Sequence, residues 1–348
     1  MFMNQHQDHR GIALWGLVLA AGDGKRLQSY VQQLKGKELP KQFVNFVGQR
    51  SMLEHTFQRA EKLIRSEQIY TIVSRHHLAH PEVRRQLSDR LEETVVVQPE
   101  NRETGPGILL PLMFLFKQCP DAIVALFPSD HFVLEEDRFM GYVGCATEAV
   151  RHDPSRIVLI AMEAREPETE YGYIFPGEPI SGLAPFGIRS VSRFIEKPTV
   201  DLALALMLCG GLWNTMTMVF EVKTLLNLVR RVAPILYLKF CKILAAIGTP
   251  AEDQAIEAVY DSLTPVNFSK GIMEKIADQY PESVAVLPVQ QVHWTDWGSP
   301  QRLNQALRTL ERAETRQTLV EANPKVAWPY ENRATSRIVR AVQQQRVA

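Results

Sequence analysis

Residues Leu14–Ala21 form an apolar run of strand length that breaks off abruptly into Gly22-Asp23-Gly24-Lys25-Arg26. A strand that delivers the chain into a glycine turn lets the backbone come close to a ligand, and successive N–H groups there can form a nest for an anion. Lys25, Arg26 and, further along, Lys41 add fixed positive charge. The guest this arrangement suits is a polyphosphate; the alternative is a turn that only connects two elements. It is not a Walker loop, because no G-x-x-x-x-G-K-[ST] is present. Nor is it a dinucleotide fingerprint, since Leu27 and Gln28 stand where a third glycine is required.

The pattern that follows supplies the architecture. Phe43–Val47 reads as a short strand. Ser51-Met52-Leu53-Glu54 is a capping box, and Leu53, Phe57, Ala60 and Ile64 recur at helical spacing, which predicts a helix to about Arg65. Strands at Ile69–Val73, Thr94–Val97 and Ala122–Phe127 then alternate with helices at Glu82–Leu91 and Ile108–Lys117. A helix over Phe139–Arg151 and a strand at Ile157–Ala161 continue the rhythm, followed by a strand at Val191–Ile195 and helices at Val222–Leu244 and Glu252–Leu263. Late strands are expected at Val284–Pro288 and Gln291–Trp294. Strands apolar on both faces, alternating with helices, imply an α/β fold with a Rossmann-like, doubly wound, mainly parallel sheet. Ligands of such a sheet sit beyond the carboxyl ends of its strands.

Composition narrows the function. The chain has 39 basic and 39 acidic residues in 348, so its balanced charge argues against a general nucleic-acid or membrane-surface binder, and any basic site must be local. Cys119, Cys145, Cys209 and Cys241 are scattered without metal spacing, which fits reduced thiols and a cytoplasmic protein. No apolar stretch approaches the roughly 20 residues of a membrane span. Residues 1–303 read as one domain and 304–348 as a helix plus a basic tail, with six Lys/Arg against two Asp/Glu from Arg316 onward.

Several loops carry chemistry-bearing residues. Gln98 to Gly107 (QPENRETGPG) is either a solvated Pro/Gly loop or the wall of a pocket. Asp130, after the most apolar strand, is well placed to hold Mg²⁺ between phosphates, and equally to cap a turn. His131 is the poorer ligand for that oxygen-seeking ion. Read bare, Glu166 to Ile174 (EPETEYGYI) is an acidic surface loop entering a strand, Glu196-Lys197-Pro198 a strand ending in a solvated turn, and Trp294 to Ser299 (WTDWGS) the end of a late strand, with Gly211 to Phe220 (GLWNTMTMVF) and Ser269 to Lys275 (SKGIMEK) lying between the last two.

Taken together, Leu19-Ala20-Ala21-Gly22-x-Gly24, Pro40-Lys41-Gln42-Phe43 and these loops resemble, in order, the motifs of the sugar-1-phosphate nucleotidyltransferases, and most closely the mannose-1-phosphate guanylyltransferase branch. The resemblance spans roughly Leu14 to Leu303. It implies a nucleotidyltransferase sheet with a short helical C-terminal tail, and the transfer of a nucleotidyl group from GTP to mannose 1-phosphate, giving GDP-mannose and pyrophosphate. By that likeness Arg26, Lys41, Asp130 and Lys197 are catalytic. Ala20, Ala21, Gly22, Gly24, Lys25, Gln98, Asn101, Arg102 and Thr104 bind the nucleotide, while Gly172, Glu196, Lys197 and Asn214 bind the sugar phosphate. Asp130 and Asp296 would hold Mg²⁺. The implied partners are small molecules only, with a homo-oligomer as one option. The chain departs from the pattern at Lys25, Met216, Gly271 and Pro300. Those departures leave two rivals: the same chemistry with another base or hexose, and a silent paralogue that binds nucleotide-sugar to regulate a partner.

Overall fold

A computed structural model describes residues 13–309. Eleven strands are present in this part of the chain: β1 Leu14–Leu19, β2 Ile69–Ser74, β3 Val95–Gln98, β4 Ile123–Pro128, β5 Phe132–Val133, β6 Ile157–Glu163, β7 Gly172–Pro179, β8 Arg189–Glu196, β9 Leu212–Glu221, β10 Val284–Val289 and β11 Trp294–Thr295. Nine of them form one sheet in the order β3-β2-β1-β4-β9-β6-β10-β8-β7, with β7 also pairing to β9, while β5 and β11 form a separate ribbon. Only β8 and β9 run against the common direction of the sheet. The mainly parallel α/β architecture expected from the alternation is therefore present.

Its apolar strands are explained by what covers them. Along β4, Val124 and Leu126 enter one core, with the helices Thr104–Gln118, Val222–Val232, Pro234–Ala246 and Glu252–Ser262. Ile123, Ala125 and Phe127 enter the other, with Met52–Ala60, Pro81–Leu87, Glu136–His152 and Val200–Leu208. Successive side chains point to opposite faces, so a strand covered on both sides must be apolar at every position.

Local expectations change in four places. Phe43–Val47 is not a strand. Pro40 leads into a 3₁₀ turn over Lys41–Phe43, closed by Phe43 N donating to Pro40 O at 3.0 Å and Val44 N to Lys41 O at 3.0 Å. The helix begun by the Ser51 capping box ends at Ala60, before Arg65. Val222–Leu244 is two helices, because Pro234 has no N–H to continue the first and instead opens the second. The late strand near Gln291 shrinks to β11, which pairs with β5 outside the main sheet. A final described helix, residues 300–309, crosses the expected boundary at 303; its Leu303 and Ala306 are buried with Met52 and Trp297. The basic segment from Arg316 lies outside the described residues.

Candidate active site at the carboxyl edge of the sheet

Because β1 to β4 run parallel, the loops that follow them emerge at one edge. There they bound a cavity of about 470 Å³ lined by Gly22, Gly24, Lys25, Arg26, Lys41, Asn101 and Asp130, together with Gly298 from the loop after β11. Gly24 is left-handed at φ 63°, and a Cβ there would stand 3.0 Å from the Lys41 main-chain nitrogen, so this turn needs glycine on both counts. The loop is held from beneath. Buried Gln42 donates its side-chain amide to Ala20 O at 2.9 Å and Gly22 O at 2.7 Å, and Ser74 donates to Ala21 O at 2.9 Å. Gln42 is thus a positioning residue that chemistry-first reading passes over, although its place directly after Lys41 was visible.

Lys41 occupies the centre. Its ammonium lies 2.8 Å from Asp130 Oδ2 and donates to the backbone oxygen of Asp296 at 2.8 Å. Burial pushes the Asp130 carboxyl up, but Lys41, His131 and a backbone hydrogen bond together outweigh it and hold the group below its usual value. Burial takes the His131 imidazole down to about 4; its Nδ1 accepts from the Trp294 indole at 3.3 Å, and its Nε2 lies 3.8 Å from Asp130 Oδ1. Asp296 Oδ1 accepts from the Tyr171 phenol at 2.9 Å and from Gly298 N at 2.9 Å, with Arg302 Nη1 3.5 Å away. The helix over residues 300–309 therefore supplies a residue that fixes this carboxylate. Arg26 and Lys25 are exposed; Arg26 pairs with Glu170 at 2.6 Å across the cavity mouth, and Lys25 stands 3.8 Å from Asp23.

The loop after β3 is more divided. Asn101 faces the cavity and donates to Asp23 Oδ2 at 3.3 Å. Arg102 pairs with Glu100, and Thr104 accepts from Phe268 N at 2.8 Å, tying the loop to the start of a helical turn. Gln98 is buried, its amide donating to Ser74 Oγ at 3.0 Å and accepting from Tyr260 at 3.3 Å.

A second cluster forms where β7, β8 and β9 meet. Gly172 is paired opposite Glu196, and a Cβ on Gly172 would stand 2.5 Å from Glu196 Oε2 and 3.3 Å from Asn214 Cβ. Three of the four residues expected at the sugar phosphate are thus within touching distance. Lys197 follows at φ 51°, exposed, its N–H donating to Tyr171 O at 3.2 Å. Tyr171 links the two halves, since its main chain holds Lys197 and its phenol holds Asp296. No sequence reasoning singled it out, though it adjoins Gly172.

Burial, reinforced by Glu274 and opposed by Lys197, raises the Glu196 carboxyl from 4.5 to about 7. The folded state therefore favours the protonated acid, and the stability this contributes is present below pH 4.5 and lost as pH rises to about 7. The thermal midpoint of the wild type, measured relative to Glu196→Gln, is expected to fall across that window and to level off above it. A flat difference would show that the carboxyl is not perturbed.

Two departures from the motif pattern have physical reasons. Met216 stands at a glycine position with φ 57°, beside a register shift at which Ile160 faces Thr215 to Thr217. This bulge turns Asn214, whose Oδ1 accepts from Met216 N at 3.0 Å, and the left-handed residue it needs explains the usual glycine. Gly105 stands where the motif resembled by residues 98–107 has alanine, and a Cβ there would lie 2.7 Å from the backbone oxygen of Val266. Gly105→Ala is accordingly expected to cost about 1–3 kcal/mol in denaturant unfolding; an unchanged midpoint would contradict the contact.

Comparison with known proteins places the chain in a family. Residues 15–313 match the family described as Nucleotidyl transferase. The xanthan biosynthesis protein XanB of Xanthomonas campestris pv. campestris (strain B100) is 27% identical over 285 residues, covering 81% of this chain and 57% of the relative. The mannose-1-phosphate guanylyltransferase of Escherichia coli K12 is 26% identical over 290 residues, covering 82% and 58%. The chain thus spans under two thirds of the length of these relatives. Among solved structures, one described as mannose-1-phosphate geranyltransferase from Thermus thermophilus superposes with a TM-score of 0.67 at 27% identity, covering 82% of this chain and 77% of that one. With the family match extending over most of its length and the motif residues gathered at one sheet edge, the chain belongs to the nucleotidyl transferase family.

Proposed function

We propose that the protein transfers a nucleotidyl group from a nucleoside triphosphate to a hexose 1-phosphate, with GTP and mannose 1-phosphate as substrates and GDP-mannose and pyrophosphate as products. The observation that carries this reading is the convergence of the glycine loop, Lys41 and Asp130 on one cavity, joined through Tyr171 to the Gly172, Glu196 and Asn214 cluster. A sugar-phosphate oxygen attacks the α-phosphorus in line, and the bond to pyrophosphate breaks. Positioning and charge neutralisation account for most of such a reaction.

The main-chain amides of the glycine loop and Arg26 hold the β- and γ-phosphates, Lys41 meets the α-phosphate, and Lys197 meets the incoming phosphate. Glu196 and Asn214, brought close together over the missing Cβ of Gly172, exchange hydrogen bonds with sugar hydroxyls. Arg26 must leave Glu170 and Lys41 must leave Asp130 to do this, so both ion pairs serve as placeholders in the free protein. The carboxylates of Asp130 and Asp296 are hard oxygen donors that suit Mg²⁺. When bound, that ion neutralises charge on the phosphates.

Because the Gln98 amide is engaged by Ser74 and Tyr260, reading of the base falls to the loop Asn101 to Thr104. GTP is expected to support turnover at least about tenfold better than ATP, a gap of about 1.4 kcal/mol that one or two unpaired buried polar groups supply. Initial rates with each triphosphate and mannose 1-phosphate test this, and equal rates would remove the guanylyl assignment while leaving the transfer chemistry standing.

A further inference from the structure

Beside the same cavity, which Asp23 lines, the loops after β1 and β2 bring together three side chains that the transfer reaction does not use. Asp23 belongs to the glycine loop and His76 and His77 to the 3₁₀ turn Arg75–Ala79, and one ligand atom from each falls within 4.8 Å of the others. Asp23 Oδ1 lies 3.2 Å from His76 Nε2 and 3.8 Å from His77 Nε2. Ligand atoms around a tetrahedral ion with bonds near 2.0–2.1 Å are separated by about 3.3 Å, so these spacings are close to the edges of such a site.

A second observation points the same way. His77 is 0% exposed, and apart from a contact with the Ala20 backbone neither of its ring nitrogens makes a hydrogen bond of ordinary geometry; Asp23 Oδ1 is buried too, with the two imidazoles as its nearest partners. Buried polar atoms left in this condition cost stability, and a cation between them would satisfy both. The carboxylate is also oriented from behind, because its other oxygen accepts from Asn101 Nδ2 at 3.3 Å, the kind of outer contact that aims a metal ligand.

We propose that Asp23, His76 and His77 form a binding site for a divalent transition ion of the zinc type, separate from the all-oxygen pair Asp130 and Asp296. Two imidazoles and one carboxylate favour such a borderline ion over Mg²⁺, and three protein ligands leave a fourth position open. Asp23 lines the cavity, so the ion adds positive charge to its wall and ties the glycine loop to the end of β2.

The test uses tag-free, full-length protein stripped with chelator, titrated calorimetrically with Zn²⁺ in the presence of excess Mg²⁺. His77→Ala would open a cavity beside Phe43, so the variants are His76→Ala, at a side chain 56% exposed, and Asp23→Asn. Each is expected to lose one equivalent of Zn²⁺ or to weaken it at least tenfold, while Asp130→Asn keeps it. Co²⁺ in place of Zn²⁺ is expected to give the intense visible bands of a four-coordinate site in the wild type and not in His76→Ala. Three results overturn the proposal: no Zn²⁺ bound by the wild type, equal binding by His76→Ala and the wild type, or loss of the equivalent in Asp130→Asn.

Discussion

Asp130→Asn and Asp296→Asn are each expected to lower turnover by roughly 10²-fold or more, the scale for losing one preorganised electrostatic element. The double variant should be hardly worse than the poorer single. The structure makes these substitutions informative because neither should unfold the protein. An amide at 296 still accepts from the Tyr171 phenol and Gly298 N, the contacts that fix the present carboxylate. An amide at 130 still faces the Lys41 ammonium, now 2.8 Å from Oδ2. What both remove is charge. Two carboxylates that serve one ion fail together, whereas independent aspartates produce small effects that add. Steady-state rates at saturating GTP, mannose 1-phosphate and Mg²⁺ decide between these patterns. A wild type that binds nucleotide-sugar tightly yet turns over no combination of triphosphate and sugar phosphate would replace the transferase with a regulatory binding protein.

Lys41→Met is expected to reduce turnover by roughly 10²- to 10³-fold, since it removes the positive charge assigned to the α-phosphate. It has a second consequence that a surface lysine would not share. Lys41 is 8% exposed and balances Asp130, so its loss leaves a carboxylate in a poorly solvated place. The full cost of breaking a buried pair is 3–5 kcal/mol, and because the Asp130 side chain is 32% exposed, about 1–3 kcal/mol is expected here. Magnesium should then raise the thermal midpoint of Lys41→Met more than that of the wild type, because the ammonium no longer competes for the carboxylate. Equal shifts in the two proteins would show that Lys41 does not occupy the cation's place.

The local pattern was enough to reveal the chain's organisation. Continuous apolar strands such as Ile123–Pro128 can only be covered on both faces, and the two cores found there follow from that constraint. The glycine loop was equally legible, because Gly-x-Gly at a strand end marks a turn that needs backbone conformations other residues rarely adopt, and Gly24 takes the left-handed one. The Ser51 capping box was readable for the same reason: both of its hydrogen bonds lie within four residues.

What the sequence could not decide was everything set by contacts between distant segments. Phe43–Val47 has strand-like composition, yet the chain turns over Lys41–Phe43, because Gln42 is drawn under Ala20 and Gly22 and Lys41 into the space between Asp130 and Asp296. Tyr171 and Arg302 became visible only when the last described helix folded back to hold Asp296, and the Asp23, His76 and His77 group only when β1 and β2 were paired side by side. Periodicity and turn chemistry act over a few residues and are written into the chain itself. The partners of a buried charge are chosen by the packing of the whole sheet, where a carboxylate and an ammonium far apart in sequence must meet or each bear the cost of desolvation alone.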